Sequence, residues 1–182
     1  MHWIDPDALP ETRGVVTHFL LNPHGELDGL VLRPARQVHF PPHMSKWVAR
    51  HIAVGDRIRV RGIKPRGVDM IAAVSLTASD GATQVDEGPD HAAHAPRAQE
   101  PVHKPMEVHG TVRLSLHGPK GELRGALLDD GTSLRVPPHA GMALREYLSP
   151  GASVYAWGRG VKNRFGRVVD VDDIAHWIDA PA

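Results

Sequence analysis

Residues 14–62, with the sequence GVVTHFLLNPHGELDGLVLRPARQVHFPPHMSKWVARHIAVGDRIRVRG, decide the fold, because a related stretch recurs later in the chain. Moved forward by 96 positions, this stretch falls on residues 110–158 without a gap. Fourteen of the 49 aligned positions are identical, and eight of those are glycine or proline. Glycine tolerates positive φ and proline fixes φ, so the two copies share backbone shape above all. The sequence therefore predicts a fold that has been duplicated.

The domain organisation follows from the repeat length. A period of 96 residues is too long for a solenoid unit, so this chain of 182 residues is expected to form two tandem domains. We place the first at residues 1–78, with an N-terminal arm, and the second at residues 106–182, with a C-terminal tail. Residues 79–105 are rich in small residues and chain breakers and have almost no large apolar side chain. Such a segment cannot bury enough surface to offset its ordering entropy, which predicts a flexible linker.

Composition excludes several classes of protein. Basic and acidic side chains balance at 21 each, so no strong global field attracts DNA or an anionic membrane. The positive excess lies in the first domain, with 10 basic against 7 acidic residues, whereas the linker has 2 against 5. Cysteine is absent, which removes disulfide and thiolate chemistry. With no long apolar run and no leader-like start, we expect a cytoplasmic protein without a membrane partner.

Each copy predicts three strands, one helix and two strands. Strand-forming residues alternate in period two, and turns carry Gly, Pro, Asn and Asp. In the first copy we predict strands at residues 14–21, 27–32, 37–40, 57–62 and 70–76, with a helix at residues 43–52. In the second copy we predict strands at residues 110–116, 123–128, 133–136, 153–158 and 167–171, with a helix at residues 140–148.

This element order resembles the OB-fold, a five-stranded Greek-key barrel with a helix between strands three and four. Two shared motifs carry the resemblance: a turn with the pattern Pro-x-Gly-Glu-Leu, and a third strand that ends in Pro-Pro-His. Both are similar to those of uncharacterised bacterial OB-fold proteins of the nucleic-acid-binding type. The resemblance covers nearly all of both copies. It implies an all-β fold of two tandem barrels with one short helix each, and it implies binding in general terms only, because OB-folds host many binding roles.

The outward face of strand four is the first candidate site. Its residues and those of the following loop are Arg57, Arg59, Arg61, Lys64 and Arg66 in the first copy and Tyr155, Trp157, Arg159, Lys162, Arg164 and Phe165 in the second. Cations that meet phosphates, beside aromatic rings that stack on bases, suit single-stranded DNA or RNA. The same side chains could instead form an ordinary solvated surface. Tyr155 and Trp157 could also pack against the linker, the termini or the other domain.

The chain termini share a tetrapeptide. His2-Trp3-Ile4-Asp5 recurs as His176-Trp177-Ile178-Asp179. The two segments could dock in the same way on the two domains, or the match could be chance.

The histidines of the Pro-Pro-His motifs, His43 and His139, are the second candidate site. A repeated histidine could bind a small ligand or a metal at the barrel mouth, but it could equally hold the start of the helix. The neighbouring His39 aligns with Arg135, so the copies do not preserve a histidine pair. The remaining histidines are scattered or lie in the linker, without a known metal-ligand spacing. We therefore expect no dedicated metal site and no cofactor.

Catalysis has little support in the sequence. It contains no Gly-x-Ser-x-Gly elbow and no phosphate-binding glycine loop. Glu26 and Glu122 recur, but each follows a turn glycine and is expected to close that turn. We predict a non-enzymatic protein that binds single-stranded nucleic acid weakly and with little sequence preference. The alternative is a protein-interaction or scaffold module, which includes a homodimer, and the third possibility is a small-ligand or metal binder near the Pro-Pro-His motifs.

Overall fold

The computed structural model describes residues 5–88 and 102–178. The chain divides into two compact units, which are described separately. The first contains the first copy of the repeat, except that the turn Leu21–Glu26 groups with the second unit. In the described ranges, no helix has both the length and the apolar character needed to cross a membrane.

The first unit is a closed barrel of five strands. The strands are β1 (Glu11–Leu21), β2 (Leu27–Leu32), β3 (Arg36–His39), β4 (Arg57–Ile63) and β5 (Met70–Thr77). They follow the order β3-β2-β1-β4-β5, and the barrel closes because β3 also pairs in parallel with β5. A 3-10 turn at Pro42–Met44 leads into the short helix α1 (Ser45–His51), which lies between β3 and β4 in the chain. A sixth strand, β6 (Thr83–Val85), is added to the outer edge of β5.

The second unit repeats the same closed topology. Its strands are β7 (Lys104–His117), β8 (Leu123–Leu128), β9 (Ser133–Arg135), β10 (Ser153–Asn163) and β11 (Gly166–His176). They close in the order β10-β11-β9-β8-β7, with β9 parallel to β11. The predicted fold class, two tandem five-stranded OB-type barrels with little helix, is confirmed.

Alternation along the strands builds the barrel cores. In β4, Ile58 and Val60 are buried, and the arginines that alternate with them face outward. In the second barrel, the buried residues Val112, Leu134 and Val154 belong to one core cluster. Period-two burial of this kind encloses one face of each strand in the barrel and leaves the other available for binding.

A glycine in the fourth strand lets each barrel bend. The pairing of β4 with β5 shifts register between Arg61 and Gly62, and the pairing of β10 with β11 shifts between Trp157 and Gly158. A Cβ atom on Gly62 would overlap the carbonyl oxygen of Ala72, and one on Gly158 would overlap that of Asp170. Only glycine permits this approach of two backbones, which explains why the position is identical in the two copies.

The helix predicted at residues 140–148 is wrong. The structure has a single short turn, α2 (Pro138–Gly141), followed by a separate 3-10 turn at Arg145–Tyr147. Gly141 lies so close to β8 that a Cβ atom would overlap the carbonyl oxygen of Leu123. This contact holds the chain against the barrel at a glycine, which is a poor helix former, and the helix does not continue past it.

Part of the segment predicted as a flexible linker is ordered. Residues 79–88 include β6, and β7 begins at Lys104. Ser79 and Asp80 help to form the turn before β6, because Ser79 Oγ donates to the Arg57 carbonyl and Ala82 N donates to Asp80 Oδ1. Composition missed this hairpin because backbone pairing and short polar contacts stabilise it without large apolar side chains. Residues 89–101 lie outside the described residues.

We expect Gly158→Ala to destabilise the second barrel by about 1–3 kcal/mol, because the added methyl group must displace the backbone of β11. Ser153→Ala, at the start of the same strand, is the control and should leave stability nearly unchanged. Urea unfolding followed by tryptophan fluorescence measures both variants. Equal midpoints for the two would show that the bend tolerates a side chain.

Candidate functional site

The predicted arginines of β4 lie on one solvent-facing surface. Arg57 and Arg59 are exposed and Arg61 is half-buried. In the register of β1 with β4, Arg13 lies directly opposite Arg59, and Glu11 lies opposite Arg61. Residues opposite each other in an antiparallel pair point to the same face. This surface, which we call the arginine face, therefore holds four guanidinium groups and one carboxylate on its two strands.

Glu11 shares its charge among three of these arginines. Its carboxylate lies 3.7 Å from Arg13, 3.6 Å from Arg59 and 3.9 Å from Arg61. These are long, solvent-exposed contacts, which are worth little individually. One carboxylate cannot neutralise the group, so the face keeps a net positive charge.

Arg61 differs from its neighbours because it has a structural task. Its Nη1 donates to the Leu9 carbonyl oxygen at 2.8 Å and lies 3.5 Å from that of Asp7. The guanidinium thus holds the segment before β1 against the barrel. Arg61 supports the shape of the arginine face and has less freedom to bind a ligand than Arg57 or Arg59.

The loop between β4 and β5 extends the positive surface. Lys64 and Arg66 are both exposed. In the described part of the chain, neither forms an ion pair, whereas Arg36 is paired with Asp69 at 3.2 Å. The loop cations are therefore available to an anionic ligand.

The face that OB-folds usually present to nucleic acid is closed in the first barrel. Every residue of β2 is buried, on both faces of the strand. Even the polar side chains of Asp28 and Gln37 are only 7% and 1% exposed. Strand β2 therefore offers no exposed cation, whereas the arginine face and the loop between β4 and β5 do.

In the second barrel, the outward face of β10 carries aromatic rings. Trp157 is 36% exposed and lies 5.7 Å from Tyr155, centroid to centroid. Tyr155 stacks on His109 of β7 at 6.3 Å, and His109 contacts Trp177 at 4.0 Å. We call these four residues the aromatic stripe. His109 and Trp177 were not among the predicted site residues, although the tetrapeptide repeated at the termini had marked Trp177. Its first copy, residues 2–5, lies almost entirely outside the described residues.

Carboxylates flank the aromatic stripe. Trp157 lies opposite Glu107 on β7 and opposite Asp173 on β11. Tyr155 donates its hydroxyl hydrogen to Glu107, and this hydrogen bond raises the pKa of the phenol. These negative charges would repel a phosphate backbone, so the stripe is not the combined cation and aromatic platform that the sequence suggested.

Arg159 continues this mixed charge along β10. It is exposed and lies opposite Asp170. Burial raises the pKa of Asp170, and the neighbouring Asp172 raises it further. Arg159 therefore faces a carboxylate rather than a row of other cations.

The remaining predicted residues meet at the hairpin between β10 and β11. Lys162 and Arg164 are exposed, and the Arg164 guanidinium lies 4.3 Å from the ring centroid of Phe165. Lys162 lies five positions after Trp157 along the strand, a distance of about 16 Å. The structure thus divides the predicted residues of the second copy between an acidic aromatic stripe and a basic hairpin tip.

The Pro-Pro-His histidines occupy different surroundings. His43 Nε2 lies 2.8 Å from Asp86 Oδ1, just after β6. His139 is exposed and lines a groove beside β11. Neither histidine joins two other metal-ligating side chains, because residues 5–88 and 102–178 contain no group of three or more suitable ligands.

The two closed five-stranded barrels define a tandem OB-type fold. No family model and no curated protein matches the chain. Among solved structures, it is similar to the wild-type single-stranded DNA binding protein from Thermus aquaticus, with 14% identity and a TM-score of 0.31 over 94% of this chain and 93% of that chain. A deletion mutant of that protein gives 13% identity and a TM-score of 0.30 over 94% and 95%. At these scores, neither match bears on what this chain binds.

The Glu107–Tyr155 hydrogen bond predicts a pH effect. Because the phenol pKa is raised, the bond stabilises the fold fully below the ordinary tyrosine pKa of 10.0, and this stabilisation is lost as pH rises through the folded pKa. In a Tyr147→Phe background only Tyr155 titrates, because the chain has two tyrosines. We expect Glu107→Gln to lower the Tyr155 midpoint, measured by absorbance at 295 nm. An unchanged midpoint would mean that the carboxylate does not hold the phenol.

Proposed function

We propose that this protein binds single-stranded nucleic acid weakly and with little sequence preference. The observation that carries the proposal is the arginine face, where β1 and β4 place four guanidinium groups beside one carboxylate, which contacts three of them. Neighbouring strands lie about 4.8 Å apart and alternate residues about 6.6 Å apart, so these charges repeat on a scale comparable to that of phosphates along a nucleic acid strand.

The loops between the fourth and fifth strands support the same ligand. In the first barrel this loop adds Lys64 and Arg66, and in the second the hairpin adds Lys162 and Arg164. OB-folds commonly use this loop to bind oligonucleotides. Phe165 offers a ring on which a base could stack if the Arg164 guanidinium moved aside, a contact worth about 1–3 kcal/mol.

The balanced charge of the whole chain determines how tightly we expect nucleic acid to bind. Basic side chains that contact phosphates gain free energy by releasing the counterions of the nucleic acid, and distant carboxylates do not assist that release. Affinity should therefore be modest and strongly dependent on salt. Because these contacts reach the backbone and not base edges, DNA and RNA should bind with similar affinity.

A protein-interaction role remains the second candidate, and the aromatic stripe favours it. Trp157 is exposed on a surface that also carries Glu107 and Asp173. Aromatic side chains with a polar rim are typical of protein interfaces. We assign Tyr155 and Trp157 to this alternative and not to base stacking.

Fluorescence anisotropy with labelled 20-nucleotide DNA and RNA tests the nucleic-acid proposal. If four cations (Arg57, Arg59, Lys64 and Arg66) contact phosphates, log K should fall with log salt at a slope of about −3. The double variant Arg57→Gln, Arg59→Gln should reduce this slope to about −1.5 and weaken binding. Arg61 is left in place because it holds the N-terminal segment.

Arg124→Gln is the matched control, because Arg124 is a half-buried arginine of the second barrel that is paired with Glu122 at 3.5 Å. It should bind oligonucleotides as the wild type does. Binding that is absent at low salt, or a salt slope that the double variant leaves unchanged, would contradict the proposal. Light scattering in the same buffers reports self-association, which would favour the second candidate.

A further inference from the structure

The two barrels differ at one strand edge. In the first barrel, β6 pairs with the outer edge of β5, and Leu76 lies opposite Gln84. The pairing continues past β6, since Asp86 N donates to the Val74 carbonyl oxygen at 2.7 Å. In the second barrel, β9 pairs with β11 only over Val168–Asp170. Beyond that point, no strand in the described part of the chain pairs with this edge of β11.

The two edges correspond residue by residue. In the first barrel, the shift in register sets Arg61 opposite Ser75 and Gly62 opposite Ala73. In the second barrel, the same shift sets Trp157 opposite Asp173 and Gly158 opposite Val171. Asp173 therefore occupies the place of Ser75, and Ile174 occupies the place of Leu76, the residue that pairs with β6.

Ile174 presents a backbone donor at the open edge. Its N–H donates to the side chain of the preceding residue, Asp173 Oδ1, at 2.9 Å. Backbone N–H groups of a strand alternate between its two neighbours, and the equivalent Leu76 faces β6. A carboxylate that caps such an N–H protects an edge that lacks a partner strand, and an incoming strand could replace it.

The residues beside this edge are also less buried in the second barrel than in the first. In the first barrel, Met44 and Val48 are 1% and 0% exposed. The aligned residues of the second barrel, Ala140 and Leu144, are only partly buried. They contribute to a groove along β11, which is lined by Val136, His139, Ala140, Leu144, Asp172 and Ile174. The groove therefore adjoins the part of the β11 edge that corresponds to the β5 edge paired with β6 in the first barrel.

The histidine of the Pro-Pro-His motif completes the comparison. In the first barrel, His43 contacts the carboxylate of Asp86, the residue that follows β6. In the second barrel, the aligned His139 lines the groove and is exposed. The first barrel thus shows, within the same chain, what kind of segment this site accommodates.

We propose that the β11 edge and its groove bind an extended peptide segment of a partner protein by strand addition. The middle residue of a three-residue strand pairs with Ile174, as Gln84 pairs with Leu76. The third residue lies opposite Asp173, as Val85 lies opposite Ser75, so a basic side chain fits there. The residue after the strand is acidic and reaches His139, as Asp86 reaches His43.

A labelled peptide tests this proposal on the full-length protein. The probe is fluorescein-Ala-Thr-Gln-Lys-Asp-Glu, which copies residues 82–87 with lysine in place of Val85, and the readout is fluorescence anisotropy. We expect saturable binding that His139→Ala weakens about tenfold, since a hydrogen bond to a charged group is lost. His43→Ala removes the same residue from the same motif in the barrel whose edge is already filled, and it should leave binding within about twofold of the wild type.

Two further peptides test the binding mode. Proline in place of the glutamine removes the backbone N–H that would pair at the edge, and this peptide should not bind. Restoring valine at the lysine position should weaken binding severalfold, because the charge opposite Asp173 is lost. The proposal is overturned if the lysine peptide does not bind, or if the proline peptide binds as well as it does.

A second copy of the chain is the competing occupant. Light scattering of the wild type and of His139→Ala, over a range of protein concentrations, detects self-association through this edge. A dimer that His139→Ala dissociates would overturn the assignment to a partner peptide. A monomer that binds the lysine peptide supports it, whether or not the arginine face binds oligonucleotides.

Discussion

Closure of each sheet by one short parallel pairing is the constraint on which the rest of the structure depends. β3 meets β5 over three residue pairs, and β9 meets β11 over three. These pairings join the two outermost strands of each sheet over part of their length and enclose the apolar faces in a core. They also require the long fourth and fifth strands to bend, which the glycines of β4 and β10 permit. The bend in the fourth strand then determines which side chains of the fourth and fifth strands lie opposite each other on the outward surface.

The two barrels share this backbone topology, but their side chains differ at outward positions, where the fold does not restrict them. The outward positions of β4 hold arginines, whereas those of β10 hold Tyr155 and Trp157 beside carboxylates. One barrel has its fifth-strand edge filled by β6, and the other leaves that edge capped by Asp173. A duplicated domain can therefore present a different outward surface and a different strand edge in each copy without any change of topology.

Most strands could be predicted from local pattern. The alternation of Ile58 and Val60 with arginines predicted both the strand and its outward face, and the two Pro-Pro-His motifs marked where a third strand ends. The early end of the helix predicted at residues 140–148 could not be foreseen, because the approach of Gly141 to β8 is a contact with a strand that local pattern does not reveal. The β6 hairpin was missed because its stability comes from backbone pairing, which composition does not report. The predicted site was divided for a similar reason: Glu107 and Asp173 are far from Trp157 in sequence and adjacent to it only in the sheet.

By itself, the sequence determined that one barrel occurs twice, where its turns fall and which side chains point away from the core. These properties depend on φ preferences and on period-two alternation, both of which are local. Only the tertiary structure decided which outward side chains share a face, which arginine holds the N-terminal segment and which strand edge lacks a partner. Register across the sheet decides these properties, because it brings together residues that are between 42 and 56 positions apart in the chain.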